Sequence, residues 1–331
     1  MVIKFLKAGS GDCILISHQK HNILIDGGNE PDYLLAEIGK IHNARQHIDL
    51  LVITHHDDDH INGILVFLER AVKKEYGDDF IKEVIFNSPR VIQGKLPEVK
   101  SQSLSYRQAY VAENLLMQLN PKWEICSEQT EVKAYGSLRL RFLSPVTTDL
   151  DIYSQAPGAY LSSDFKCDWD SSIDTLVPYI TDDSQDISVA NRTSVVILAE
   201  TDQQRVLLTG DVTPDRFNSI LEKLATEEAT DRVRFDYIKL PHHTSYRSLT
   251  KSIIEKLDCK SFIISTNSKK YYLPNKRALI KILLYLKRAD EETEFSFNYE
   301  DALNNLKITI QEQKKYRIKL TKNNQTYGIS I

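Results

Sequence analysis

Thr54-His55-His56-Asp57-Asp58-Asp59-His60 follows the apolar run Ile48-Asp49-Leu50-Leu51-Val52-Ile53 and precedes Ile61, Ile64, Leu65 and Leu68. The run is short and rich in β-branched residues, as expected of a buried strand. The apolar residues after it recur at helical spacing. The polar cluster is therefore expected on a strand-to-helix turn, with His55, Asp57 and Asp59 alternating to one side and His60 at the helix start. Carboxylates this close repel one another unless a cation neutralises them. A helix cap through Asp58 or Asp59 would account for the acids but not for the histidines. The pattern points to a metal site.

Working outward, residues 2–7 and 13–17 read as strands around Ala8-Gly9-Ser10-Gly11-Asp12, and residues 21–25 as a third strand ending in Asp26-Gly27-Gly28. The glycines permit a tight turn that aims Asp26 at the cluster. There it would hold a liganding imidazole in one tautomer, or serve only as a turn aspartate. Downstream, helical spacing is expected over 105–119 and 214–224, and strands near 84–87, 131–135 and 138–143. Residues 144–190 are poor in apolar side chains and read as a long loop or insertion. Asp164, Asp168 and Asp170 within it read as solvated acids rather than cation ligands. Three further strands end in polar clusters or begin from one: Asn191-Arg192-Thr193-Ser194 leads into 195–198, 205–209 stops at Gly210-Asp211, and 235–240 stops at Pro241-His242-His243-Thr244-Ser245. Residues 275–288 read as an amphipathic basic helix, and 295–331 hold short polar strands.

A chain of 331 residues, 41% hydrophobic and 27% charged, is long enough to bury a large core. No apolar run approaches the roughly 18–20 residues of a membrane helix, and residues 1–7 lack the pattern of a cleaved leader. The four cysteines are scattered without a CxxC pair, so a reduced cytoplasm is the expected location. The net charge of −4 conceals an asymmetry: residues 232–331 carry 20 Lys and Arg against 10 Asp and Glu. A basic C-terminal third suits either a polyanion or solvated helix faces.

Each candidate ligand thus lies at or beside a strand end, and together the motifs resemble those of the metallo-β-lactamase-fold hydrolases. Residues 55–60 are similar to the HxHxDH signature with Asp57 in place of the second histidine. Leu24-Ile25-Asp26-Gly27-Gly28 resembles the first motif, Thr209-Gly210-Asp211 the bridging aspartate, and Pro241-His242-His243-Thr244-Ser245 a PHHGS-type final motif. Within the superfamily the pattern resembles most the competence-protein (ComEC/Rec2) hydrolase domains, which share the HxDxDH form, an asparagine-serine stretch and paired histidines. The resemblance covers residues 1 to about 270.

It implies an α/β (α+β) fold: a four-layer αββα sandwich over residues 1–270, with the insertion at 144–190, and a small C-terminal extension, 271–331, packed on the same domain. It also implies two divalent ions. His55, Asp57 and Asn191 would hold the first, Asp59, His60 and His243 the second, and Asp211 would bridge. His243 is preferred to His242 because the superfamily's Pro-Gly-His places its ligand two residues after the proline. His242 would then be a proton donor or substrate contact, forming the catalytic set with Asp59 and Asp211. Asn191 is a weak ligand, and the oxygen-rich set lets Mn²⁺ or Mg²⁺ compete with Zn²⁺.

The expected function is a metal-dependent hydrolase in which hydroxide generated between two metals attacks a phosphorus or carbonyl centre. Lys239, Arg192 and Arg247 flank ligand positions and could clamp a phosphate, though each also reads as surface charge. The pairs Lys269-Lys270, Lys276-Arg277 and Lys287-Arg288 could track a nucleic-acid backbone. Tyr271 and Tyr272 could stack bases, although packing is the commoner use of such residues. A phosphodiesterase or nuclease acting on DNA or RNA is therefore favoured. The alternatives are a carboxylic-ester or lactone hydrolase, and a catalytically weak binding or scaffold subunit. No membrane role is expected, and the sequence names no protein partner.

Overall fold

In the computed structural model, which describes residues 1–88, 91–92, 104–155, 167–286 and 291–331, strand β4 (Ile48–Ile53) shows why the chain forms layers. Its Leu51 and Ile53 pack into an apolar cluster with helical residues. Leu50 and Val52, on the opposite face, pack into a second cluster lined by two sheets. A strand covered on both faces reads as a continuous apolar run.

The first sheet is built from β1 (Val2–Leu6), β2 (Ile14–His18), β3 (His21–Ile25), β4, β5 (Ile81–Phe86) and β6 (Lys122–Glu124). With β17 (Gly328–Ser330) at its edge it runs β17-β1-β2-β3-β4-β5-β6. The second runs β16-β15-β14-β12-β10-β9-β8-β7. Its strands are β7 (Lys133–Tyr135), β8 (Leu138–Ser144), β9 (Val196–Thr201), β10 (Gln204–Leu208), β12 (Tyr237–Lys239), β14 (Ser261–Ile264), β15 (Thr293–Phe297) and β16 (Ile318–Thr321). A two-stranded ribbon, β11 (Val233–Arg234) with β13 (Leu257–Asp258), lies apart. The residues after 270 therefore supply edge strands to both sheets.

Helices α1 (Asp32–Asn43), α2 (Asp58–Val72) and α3 (Leu104–Leu119) bury Leu34, Ile38, Ile61, Phe67 and Ala112 against the first sheet. Helices α4 (Pro214–Glu227) and α5 (Lys276–Tyr285) bury Phe217, Leu221, Leu279 and Ile282 against the second. The order is helix, sheet, sheet, helix, the sandwich expected from the sequence. Helix α2 begins at Asp58, earlier than the apolar spacing indicates, so Asp58 and Asp59 lie in its first turn. There they complement the positive end of the helix dipole. Residues 144–190 are not bare loop: they include short helices at Thr147–Gln155 and Ile173–Leu176.

Strands β3 and β4 are parallel, as are β10, β12 and β14. Their C-terminal ends meet where the sheets touch. There the Val195 amide donates to the Thr54 carbonyl at 3.1 Å, and the Asn267 amide donates to the Gly9 carbonyl at 2.9 Å. Loops after the carboxyl ends of parallel strands are where such folds place ligands. No helix among the described residues is long and apolar enough to cross a membrane.

Candidate metal centre

The loop after β4 carries His55 and Asp57, and the first turn of α2 carries Asp59 and His60; the loop after β10 carries Asp211; the turn after β12 carries His242 and His243. Their side chains converge. His60 Nε2 lies 3.3 Å from His243 Nε2 and 3.4 Å from Asp211 Oδ1. His243 Nε2 lies 3.3 Å from Asp59 Oδ2 and 3.5 Å from Asp211 Oδ2. Donors held about 2.0–2.2 Å from one tetrahedral ion are spaced about 3.3–3.6 Å apart. His60, Asp211 and His243 meet that spacing, and Asp59 meets it towards His243.

A second group also gathers about Asp211. His55 Nε2 is 3.8 Å from Asp57 Oδ2 and 3.9 Å from Asp211 Oδ2, and His242 Nε2 is 4.0 Å from Asp211 Oδ2. His55 Nε2 and Asp57 Oδ1 are buried without a hydrogen-bond partner. A buried polar atom left unpaired costs about 1–3 kcal/mol, and here both belong to side chains of the donor cluster. The residues present fit a divalent metal site.

Each imidazole is aimed from behind. His60 Nδ1 donates to Asp26 Oδ2 at 2.8 Å, and Asp26 also accepts from the Thr54 amide at 2.8 Å and the Thr54 hydroxyl at 2.6 Å. His243 Nδ1 donates to the Ser265 carbonyl at 3.1 Å. His242 Nδ1 donates to Asp186 Oδ2 at 3.0 Å. A carboxylate or carbonyl can only accept, so each Nδ1 carries a proton and each Nε2 is the nitrogen turned to the cluster, where a metal displaces its proton. The turn that presents the last two rings is strained: His242, His243 and Thr244 are consecutive non-glycine residues with φ of 46°, 50° and 70°. Each such residue costs on the order of 1–3 kcal/mol and clusters at functional sites.

The electrostatics express a surplus of negative charge. Burial alone would depress the His243 imidazole, yet Asp211 and Asp59 raise it to about 9. Burial opposes protonation of His60 too, and Asp211 and Asp26 overcome it. Burial, reinforced by neighbouring Asp59, pushes Asp57 up to about 7. His55 goes the other way, lowered by burial and by the adjacent His60. A site that draws protons onto its imidazoles is one that favours a divalent cation.

Two acids that the sequence reading passed over belong here. Asp12, His60, Asp211 and His243 offer ligand atoms within 4.8 Å of one another, a buried cluster able to hold a divalent metal. Asp12 itself is ion-paired with the ammonium of Lys239, which also donates to the Gly210 carbonyl at 3.1 Å. It therefore balances charge behind the donors. Its only local signal is an acid after glycine at the start of a strand. The loop is pressed so close that a Cβ on Gly11 would meet the Asp59 carbonyl oxygen at 1.6 Å. Asp186 lies in the acid-rich stretch, where nothing in the sequence separates it from its neighbours.

Several sequence expectations need correcting. Lys239 is fully buried against Asp12 and cannot clamp a phosphate. Arg192 is committed to Asp149, at 2.7 Å, and to Asp215. Asn191 is not contradicted: it donates through Nδ2 to Asp186 Oδ2 at 2.7 Å, which supports the acid behind His242, and its buried Oδ1 has no hydrogen-bond partner. Arg247 donates to the Gln185 carbonyl at 3.2 Å, beside that acid. Lys276 is buried and donates to the carbonyls of Trp169 and Ser171, and Arg277 lies over the Tyr246 ring. That pair does not track a polyanion. Asp168 accepts from the backbone amides of Lys276 and Arg277, and Asp170 pairs with Lys307. Asp164, Lys287 and Arg288 lie outside the described residues.

Buried carboxylates and imidazoles gathered where two parallel strand bundles end, between helix-covered sheets, define a metal-binding sandwich of the hydrolase type. The chain belongs to the metallo-beta-lactamase superfamily, whose family description matches residues 6–269. That superfamily consists mostly of metal-dependent hydrolases. Similar solved structures include Zn²⁺-bound PqqB from Methylobacterium extorquens, at 10% identity over 100% of this chain and 99% of that one, with a TM-score of 0.47. The metallo-beta-lactamase fold protein YhfI from Bacillus subtilis is 10% identical over 100% and 98% of the chains, with a TM-score of 0.43. A putative metal-dependent hydrolase from Parabacteroides distasonis is 14% identical over 84% and 87%, with a TM-score of 0.39. Likeness at this level carries no argument about substrate. Comparison with curated proteins finds no match.

Proposed function

We propose that the protein is a metal-dependent phosphodiesterase acting on nucleic acid, of the competence-protein type within its superfamily. Zn²⁺ or Mn²⁺ held by the cluster supplies an activated water at neutral pH and charge neutralisation at the phosphoryl oxygens. The chain's own residues do the rest. Asp26 and the Ser265 carbonyl hold His60 and His243 with Nε2 inward. Lys239 lies buried beside Asp12 and 3.8 Å from Asp211 Oδ1, and against burial the His243, His60 and His242 imidazoles hold the Asp211 carboxyl well below the usual carboxylate range.

The observation that carries the phosphodiester reading is the loop after β14. It begins at Ser265, the residue that holds His243, and continues into Lys269-Lys270-Tyr271-Tyr272. Lys270 Nζ lies 3.3 Å from Asp58 Oδ2, between Asp57 and Asp59 in sequence, and both tyrosines are exposed. One loop thus carries Lys270 beside the donor segment, Lys269 paired with Glu30 at 3.2 Å, and two exposed aromatic faces, the combination that suits a phosphate backbone with unstacked bases.

Labelled single- and double-stranded DNA and RNA, incubated with the protein and Mn²⁺ or Zn²⁺, test this reading. Metal-dependent cleavage is expected. Lys270→Ala is expected to raise KM with little change in kcat, and to reduce the salt slope of binding by about 1. No cleavage, with turnover of an ester or lactone instead, would move the protein to the carboxylic-ester hydrolases.

A further inference from the structure

His242 and Asn191 exchange the roles that their motif positions suggest. Asn191 sits where the resemblance asks for a ligand of the first metal; its Nδ2 donates to Asp186 Oδ2 at 2.7 Å, and its Oδ1, the atom able to bind an ion, is buried without a hydrogen-bond partner. A carboxylate cannot donate, so the amide nitrogen must face Asp186. The same Asp186 oxygen accepts His242 Nδ1–H at 3.0 Å, and its other oxygen accepts the Ser188 amide at 2.9 Å. Asp186 is therefore fixed from three sides, and the group it holds in register is an imidazole. That ring turns Nε2 towards Asp211 Oδ2, at 4.0 Å, the oxygen that His55 Nε2 approaches to 3.9 Å. The His60–Asp26 pair is built the same way.

We propose that His242, oriented by Asp186, is the second imidazole ligand of the first metal site beside His55, Asp57 and Asp211, and that Asn191 is a positioning residue for Asp186. This rests on the metal-dependent reading above, but not on the choice of substrate. It also accounts for the consecutive left-handed residues at 242–244. Two adjacent side chains in a regular strand would point to opposite faces. A left-handed turn sends His242 to one metal and His243 to the other.

The test counts metal without asking for turnover. The full chain is stripped with chelator, loaded with Zn²⁺ or Co²⁺, dialysed, and analysed for bound metal by mass spectrometry and isothermal titration. The wild type is expected to hold two ions. His242→Ala is expected to hold one, with Co²⁺ absorption from the Asp59, His60 and His243 site retained as proof that the fold survives. Asp186→Asn, a nearly isosteric change, is expected to weaken one of two sites by about 10–100-fold. Asn191→Ala is expected to keep both ions. Two undiminished sites in His242→Ala, or loss of one in Asn191→Ala but not in His242→Ala, would overturn the assignment. If His242→Ala unfolds, equal affinity of both sites in Asp186→Asn overturns it instead. A two-metal protein that cleaves no phosphodiester leaves this assignment standing and removes only the proposed substrate.

Discussion

Asp26 accepts three hydrogen bonds, and two of them converge on one oxygen, Oδ2, which takes both the Thr54 hydroxyl and His60 Nδ1. Replacing that oxygen by an amide reverses a proton. In Asp26→Asn the NH₂ group donates to His60 Nδ1, the ring takes the other tautomer, and Nε2 becomes a donor that cannot bind metal. Metal affinity is expected to fall by about 10–100-fold, read by competition with a chromogenic chelator, while the melting temperature in chelator changes little. Wild-type affinity in this variant would mean that Asp26 does not set the tautomer. At this scale the sequence was legible where a motif named the residue, as at His55, Asp57, Asp59, His60 and Asp211. It was not legible at Asp12, Asp186 and Lys239. A lysine beside a ligand motif reads as surface charge because its buried partner lies more than 200 positions away. Asp186 is one acid among many until His242 is seen against it.

Elements were legible where burial is two-sided. Strands β3, β4 and β10 run into the shared edge of the sheets with the apolar stretches Ile23-Leu24-Ile25, Leu50-Leu51-Val52-Ile53 and Val206-Leu207-Leu208, and there the chain turns polar. Polar side chains were harder to read, because a charge inside an element carries no mark of its partner. Glu37 on α1 shows this. It is buried, and accepts Lys4 Nζ of β1 at 2.7 Å as well as Lys40 Nζ of its own helix. Burial alone would raise its carboxyl, but the two ammonium groups lower it below its usual 4.5. A carboxylate depressed in the folded state stabilises above its unfolded value and loses that contribution as pH falls through the folded one. Glu37→Gln is therefore expected to reduce stability at pH 7 and to flatten the fall in melting temperature below about pH 4.5. Parallel acid limbs in the two proteins would show that this junction between strand and helix does not sense pH.

At the scale of the whole molecule, the donors divide between the two halves of the sandwich. His55, Asp57, Asp59 and His60 follow a strand of the first sheet, while Asp211, His242 and His243 follow strands of the second. Direct hydrogen bonds at this edge, such as Val195 to Thr54, are few compared with the ladders within each sheet. A cation gripped from both sides is therefore a cross-link between layers, absent from the unfolded chain, and its binding free energy adds to folding. Metal at 100 times its dissociation constant adds about 2.7 kcal/mol per site. In a chain of this size that corresponds to roughly 5 °C in melting temperature. Chelation is expected to lower the melting temperature by at least that amount, re-addition of Zn²⁺ or Mn²⁺ to restore it, and the midpoint to rise with metal concentration. Asp211→Asn, which weakens the residue shared by both groups, is expected to melt near the chelated wild type and to respond little to metal. Identical melting curves with and without chelator, in protein shown to have been loaded, would mean that the unfolded chain binds the ions as well as the folded one does, so that they do not cross-link the layers. The two sheets would then be held together by their apolar faces alone.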